Sequence, residues 1–130
     1  MYKEIIITII VVTLISVGDF LTQGYAQKNI DEISNELQQL RGNLIEDEPK
    51  DQNKLQEKIA SIYDNWEKMY QKLAYFIEHD ELEKVETQLT SIKGNIEVAE
   101  LEQSVPELDK CVFILEHIKN KEKLMIQNIF

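Results

Sequence analysis

The chain has 130 residues, and its 24 Asp and Glu against 14 Lys and Arg leave a net charge of −10. A surface of that sign is repelled by nucleic acid, and no basic stripe with interleaved aromatics offsets it, so no nucleic-acid partner is expected. Four Gly and two Pro supply little material for turns, and no run before the last seven residues alternates as a strand does, which predicts an all-α fold.

The first element is apolar. Ile5 to Val17 run for thirteen positions without a charge behind Met1-Tyr2-Lys3-Glu4. Extended to Leu21 the run holds 17 residues, about 26 Å of helix against a hydrocarbon core of about 30 Å. A retained membrane anchor, a cleaved signal peptide and a buried core segment are the three fates open to it. Tyr2 and Tyr25 bracket the run at headgroup depth, and Lys3 and Asp19 lie near its ends, which favours the anchor. Gly24-Tyr25-Ala26 offers a small-x-small cleavage site, but Glu4 cancels Lys3 where an export signal carries positive charge. The expectation is therefore an N-terminal transmembrane helix over residues 1–26, with Ile5, Ile6, Ile7, Ile9, Ile10, Val11, Val12, Leu14, Ile15 and Val17 in membrane lipid. Residues 27–130 then form an extracytoplasmic domain on a single-pass cell-membrane protein, or a secreted protein if the run is cleaved.

Past the run the period is helical. Ile30, Ile33, Leu37, Leu40 and Leu44 form one seam and predict a first bundle helix over about 27–45, entered from the apolar run through Gly18 and Gly24 and interrupted in its last turn at Arg41-Gly42. After the acidic turn Glu46-Asp47-Glu48, Pro49 suits the first turn of a second helix. Leu55, Ile59, Ile62, Trp66, Met69, Leu73 and Phe76 alternate at 4 and 3, predicting about 30 residues of helix, with Tyr63, Tyr70 and Ile77 as an adjacent stripe. Asp80 is the expected N-cap of a third helix with its seam at Leu82, Val85, Leu89, Ile92, Ile96 and Ala99; Gly94 is a place for a kink. Ser104 with Glu107 reads as a capping box, Pro106 in its first turn, ahead of Leu108, Cys111, Val112, Leu115 and Ile118. The tail Leu124 to Phe130 is too apolar to hang free and is expected to dock on the others. The predicted architecture is an antiparallel bundle of about four helices following the transmembrane one.

Chemistry is sparse. His79 and His117 each stand beside carboxylates near predicted helix ends, and an antiparallel arrangement that joined them with Asp80 and Glu116 would offer zinc its three or four donors. Neither His-x-x-x-His nor Glu-x-x-His occurs, so capping or interface use is the expected role, and no cofactor is expected. Cys111 lies on a seam without a partner in the chain; a buried apolar role is expected, an intermolecular disulfide being the alternative. Glu46, Asp47, Glu48 and Asp51 lack the alternating oxygens and central Gly of a calcium loop and read as a solvated turn. Tyr63, Tyr70 and Ile77 are the candidate interaction surface, with core packing as the competing use.

Several landmarks occur in a definite order: the N-terminal run, a Trp-containing helix ending Phe76-Ile77-Glu78-His79-Asp80-Glu81-Leu82, then Leu115-Glu116-His117-Ile118, Glu122-Lys123-Leu124 and Asn128-Ile129-Phe130. On these the whole chain resembles domain of unknown function four-three-six-three, a family of small single-anchor proteins of clostridia and related spore-forming Gram-positive bacteria. Pro49 in the acidic turn departs from that family's pattern. The resemblance implies membrane anchoring, a helical fold and no assigned catalytic residues, and it suggests that His79 and His117 share a site.

Without a catalytic signature the chain is expected to be a non-enzymatic, membrane-anchored interaction or scaffold protein whose partner is a membrane protein or a second copy. A metal- or ligand-binding domain using His79 and His117 is the alternative.

Overall fold

The computed structural model describes the backbone of residues 1–46, 49–75 and 77–129, and the side chains of these except Asp19, Thr22, Gln23 and residues 125–129. Four helices occupy them: α1 (Tyr2–Glu46), α2 (Gln52–Leu73), α3 (His79–Glu97) and α4 (Leu101–Ile129). Each packs on its neighbours in chain order and α1 closes the ring on α4, while the diagonal pairs α1 with α3 and α2 with α4 do not touch among the described residues. This is the ring of an up-and-down four-helix bundle, the topology that short connections favour.

The seams build the core. Ile30, Ile33, Leu37, Leu40 and Leu44 of α1 are buried, preceded by Ala26 one turn earlier. They meet Leu55, Ile59, Ile62, Trp66 and Leu73 of α2, Leu82, Val85, Leu89, Ile92 and Ile96 of α3, and Leu108, Cys111, Leu115 and Ile118 of α4 in one cluster. Burying each such aliphatic side chain contributes about 1.5–3 kcal/mol, which is what holds helices of this length together. Polar ties fix the register around the core. Asn65 of α2 donates to Glu36 of α1 at 3.2 Å, and the Gln52 amide donates to the carbonyl of Ile96, joining the start of α2 to the end of α3. Between α1 and α4, Arg41 meets Asp109 at 2.7 Å and Lys119 meets Asp31 at 2.8 Å.

Helix α1 is one unbroken element of 45 residues, about 68 Å long. It passes through Gly18 and Gly24 as expected, and through Arg41-Gly42, where an interruption was expected. Only its second half is in the bundle. The ten aliphatic residues read as an anchor, Ile5, Ile6, Ile7, Ile9, Ile10, Val11, Val12, Leu14, Ile15 and Val17, are 47–67% exposed, which also removes the core-segment reading.

The anchor itself needs correction. Among the described residues no helix is long and apolar enough to cross a membrane. The stretch free of charge runs from Ile5 to Gly18, fourteen residues, about 21 Å of rise where about 30 Å is needed. It also carries Thr8, Thr13 and Ser16, whose hydroxyls turn back to the carbonyls of Glu4, Ile9 and Val12. The expected transmembrane helix, the membrane-lipid partner and the single-pass location in the cell membrane are therefore not supported.

Several boundaries moved for local reasons. Helix α2 starts at Gln52 because Asp51 caps it, accepting from the Lys54 amide at 3.2 Å, and Pro49 stays outside the helix. It spans 22 residues and ends at Leu73, where the Ile77 amide closes a turn onto the Leu73 carbonyl at 2.9 Å and buries Ile77. Phe76, expected in the seam, lies outside the described residues. Helix α3 starts at His79 with Glu78 in the N-cap position, two residues before the expected Asp80 cap.

At its end Ala99 adopts φ 60°, the Glu100 amide reaches the Asn95 carbonyl at 2.8 Å and the Ala99 amide reaches that of Ile96 at 3.1 Å. These are the two bonds of a Schellman motif with Ala at the left-handed position, so Ala99 leaves the seam and is exposed. Helix α4 then begins at Leu101, and the capping box does not form. Ser104 is fully buried and donates to the Glu100 carbonyl at 3.3 Å, while Pro106 lies inside the helix. The backbone of the apolar tail continues α4 to Ile129, and Leu124, its first residue, is exposed and undocked; the expected docking of the rest falls on side chains outside the described residues.

Candidate functional site

The greatest concentration of interacting titratable groups is where α2 turns into α3. Tyr70 occupies the last turn of α2 and His79 the first of α3, and the turn closed by the Ala74, Tyr75 and Ile77 amides folds the second back onto the first. The Tyr70 hydroxyl stands 2.9 Å from His79 Nδ1, and His79 Nε2 is 2.8 Å from a Glu83 carboxylate oxygen one turn along α3. His79 thus bridges the phenol and the carboxylate through its two ring nitrogens, Nε2 donating to Glu83. The rings of Tyr70 and His79 meet edge to face at 5.9 Å, and Trp66 meets Tyr70 likewise at 6.1 Å.

Glu67, one turn before Tyr70, extends the cluster toward Glu86, one turn after Glu83. Hydrogen bonding between the two carboxyl groups, then burial, then the charges of Glu67 and Glu83 push Glu86 up to about 7, with His79 acting in the opposite sense. Burial, followed by Glu86, Glu83 and Glu67, also raises Tyr70 above the usual phenol value. Beside them Tyr70, Gln71, Ala74, Tyr75 and His79 line an open hollow of about 420 Å³. Tyr70 is thus shifted toward its protonated form, and elsewhere in the core the Cys111 thiol, fully buried, is pushed up to about 12 by desolvation.

The other sequence candidates are dispersed. Both nitrogens of His79 are engaged by Tyr70 and Glu83, while His117 and Glu116 are exposed on α4 and Asp80 is exposed on α3. One turn beyond His117, Lys121 reaches Glu78 at 3.5 Å and Glu81 at 3.8 Å. Among the described residues no group of three or more His, Cys, Asp or Glu is placed to hold a metal ion. The Tyr63, Tyr70 and Ile77 stripe faces inward. Ile77 is buried, Tyr63 and Tyr70 pack half-buried against the core, and Lys93 of α3 lies over the Tyr63 ring at 5.1 Å. Full burial of Cys111 also removes the intermolecular disulfide from the folded state.

The sequence reading placed Tyr70 in the candidate interaction surface, but its contact with His79, the His79 contact with Glu83, and the effect of Glu67 on Glu86 escaped it. The four-residue spacing of His79 and Glu83 was a usable signal for one contact. The carboxylate pair had none, since it depends on the register of two helices across a turn.

What the fold and this cluster define is a helical-bundle domain with titratable groups gathered at the α2–α3 turn. The chain belongs to the family described as Domain of unknown function (DUF4363), whose model matches residues 20–129. That is the family indicated by the His-acidic junction and the C-terminal motifs, and the match begins past the charge-free stretch from Ile5 to Gly18. No curated protein and no solved structure matches the chain.

Proposed function

We propose that the protein is a non-catalytic helical interaction protein that self-associates through the first half of α1. The observation supporting this is the exposure of Ile5 to Val17 on every side of a helix that is continuous with the core. A helix apolar all round is stable in water only when other apolar surface surrounds it, and a contiguous patch of this kind marks an interaction site. The charge distribution permits two copies to meet there. From Gln27 onward 13 Lys and Arg face 22 Asp and Glu, whereas residues 1–26 carry only Lys3, Glu4 and Asp19, a net charge of −1. Antiparallel pairing of two α1 segments leaves the acidic bundles at opposite ends, separated by much more than a Debye length of about 8 Å.

Light scattering on size-fractionated full chain and on a chain starting at Phe20 tests the reading. The full chain is expected to assemble and the shortened one to run as a monomer. A monomeric full chain, or assembly that persists after both Ile9→Lys and Val12→Lys, overturns it.

A further inference from the structure

We infer that the hollow at the α2–α3 turn is a binding site for a small organic cation of the quaternary ammonium class, held against the Tyr70 and Tyr75 rings beside His79. The carboxylates around the turn draw it in. The inference stands apart from the use of the first half of α1, because the hollow lies between two other helices.

Three rings line a space of about 420 Å³, together with Gln71 and the small Ala74, a volume within the range of small-molecule sites. The Tyr70 hydroxyl is 2.9 Å from His79 Nδ1 and His79 Nε2 is 2.8 Å from Glu83, so phenol and imidazole are each fixed by a hydrogen bond. Their rings stand at 80° to one another with centroids 5.9 Å apart, which makes a corner and not a flat stack. Tyr75 belongs to the turn itself, where its amide bonds to the Lys72 carbonyl at 3.2 Å. Its side chain is 88% exposed, so the ring has faces that no part of the bundle covers.

The surroundings select the sign of the ligand. Glu83 contacts His79, and Glu67 precedes Gln71 by one turn of α2. After burial, the charges of Glu86, Glu83 and Glu67 are what raise Tyr70 above the usual phenol value, and no Lys or Arg is among the groups acting on it. An anion is repelled by such a field and a cation is attracted. A bare metal ion is not matched, since among the described residues no group of three or more His, Cys, Asp or Glu is placed to hold one. A quaternary ammonium has no N–H to satisfy and gives up its water readily, so aromatic faces within a negative field suit it.

The test is isothermal titration of the full chain with choline chloride at low ionic strength. Saturable binding is expected with a dissociation constant on the order of 1 mM, weakening with added salt because Glu67 and Glu83 are exposed. Tyr75→Ala, at a position whose exposure leaves the core untouched, is expected to weaken binding at least about threefold, and Tyr75→Phe, which keeps the ring, to match wild type. The uncharged isostere of choline, with carbon in place of nitrogen, is expected not to bind. Phosphocholine, whose phosphate meets the same carboxylates, is expected to bind at least about tenfold more weakly than choline. Absence of saturable choline binding overturns the site, as does a Tyr75→Ala variant that binds like wild type. Equal binding of the uncharged isostere overturns the recognition of a cation. Equal binding of phosphocholine assigns the hollow to a zwitterionic headgroup and overturns the free cation as its ligand.

Discussion

Replacing Ala99 by Gly is expected to stabilise the protein, although it removes a methyl group. At φ 60° an L side chain crowds its own carbonyl, a cost of about 1–2 kcal/mol that glycine does not carry. Against this, glycine makes the unfolded chain freer by about 0.4–1 kcal/mol. Ala99 is exposed, so no packing is lost, and its two Schellman bonds are made by backbone groups that the substitution leaves in place. The net gain is about 0.5–1 kcal/mol, or about 2–5 °C in melting temperature for a chain of this size. Urea unfolding followed by circular dichroism should show a higher midpoint with an unchanged slope. Ala99→Val is the counter-test, since a β-branched residue resists the left-handed region most strongly, and a loss of at least about 1 kcal/mol is expected. Ala99→Gly no more stable than wild type, or Ala99→Val equal to it, would refute the left-handed end of α3 and with it the early start of α4.

Leu37, with no exposure at all in the wall that α1 contributes, should cost about 2–5 kcal/mol on truncation to Ala, measured as a fall in the urea midpoint. The Cys111 thiol should resist a thiol-specific reagent at pH 8 in the native protein and react once per chain in denaturant; rapid native labelling would show that α4 opens readily.

The seams were legible because burial on one side of a helix imposes a 3 and 4 spacing, and Ile30 to Leu44, Leu82 to Ile96 and Leu108 to Ile118 all keep it. The ends of helices were less so, since they turn on competition between hydrogen bonds. Asp51 outcompetes Pro49 as the starting residue of α2 because a carboxylate satisfies an orphan amide and proline only tolerates the position. Ser104 has the right chemistry for a cap, but its position faces the core, so its hydroxyl is used on the preceding turn. The apolar run was expected to span a membrane on its length to Leu21 and on its flanking Tyr2, Tyr25, Lys3 and Asp19, yet among the described residues no helix is long and apolar enough to do so. As for the junction, capping or interface use was the expected role of His79, with a site shared with His117 as the alternative, but nothing in the sequence named Tyr70, to which the tight turn after Leu73 delivers it.

Because a single rod carries both the exposed aliphatic segment and one wall of the core, residue count sets the azimuth of the bundle around whatever grips that segment. One residue inserted between Leu21 and Ala26 would swing the bundle about 100° around the α1 axis, and seven would return it to within about 20° of its first heading, about 10 Å further out. Angular phase, as much as affinity, is therefore written into α1.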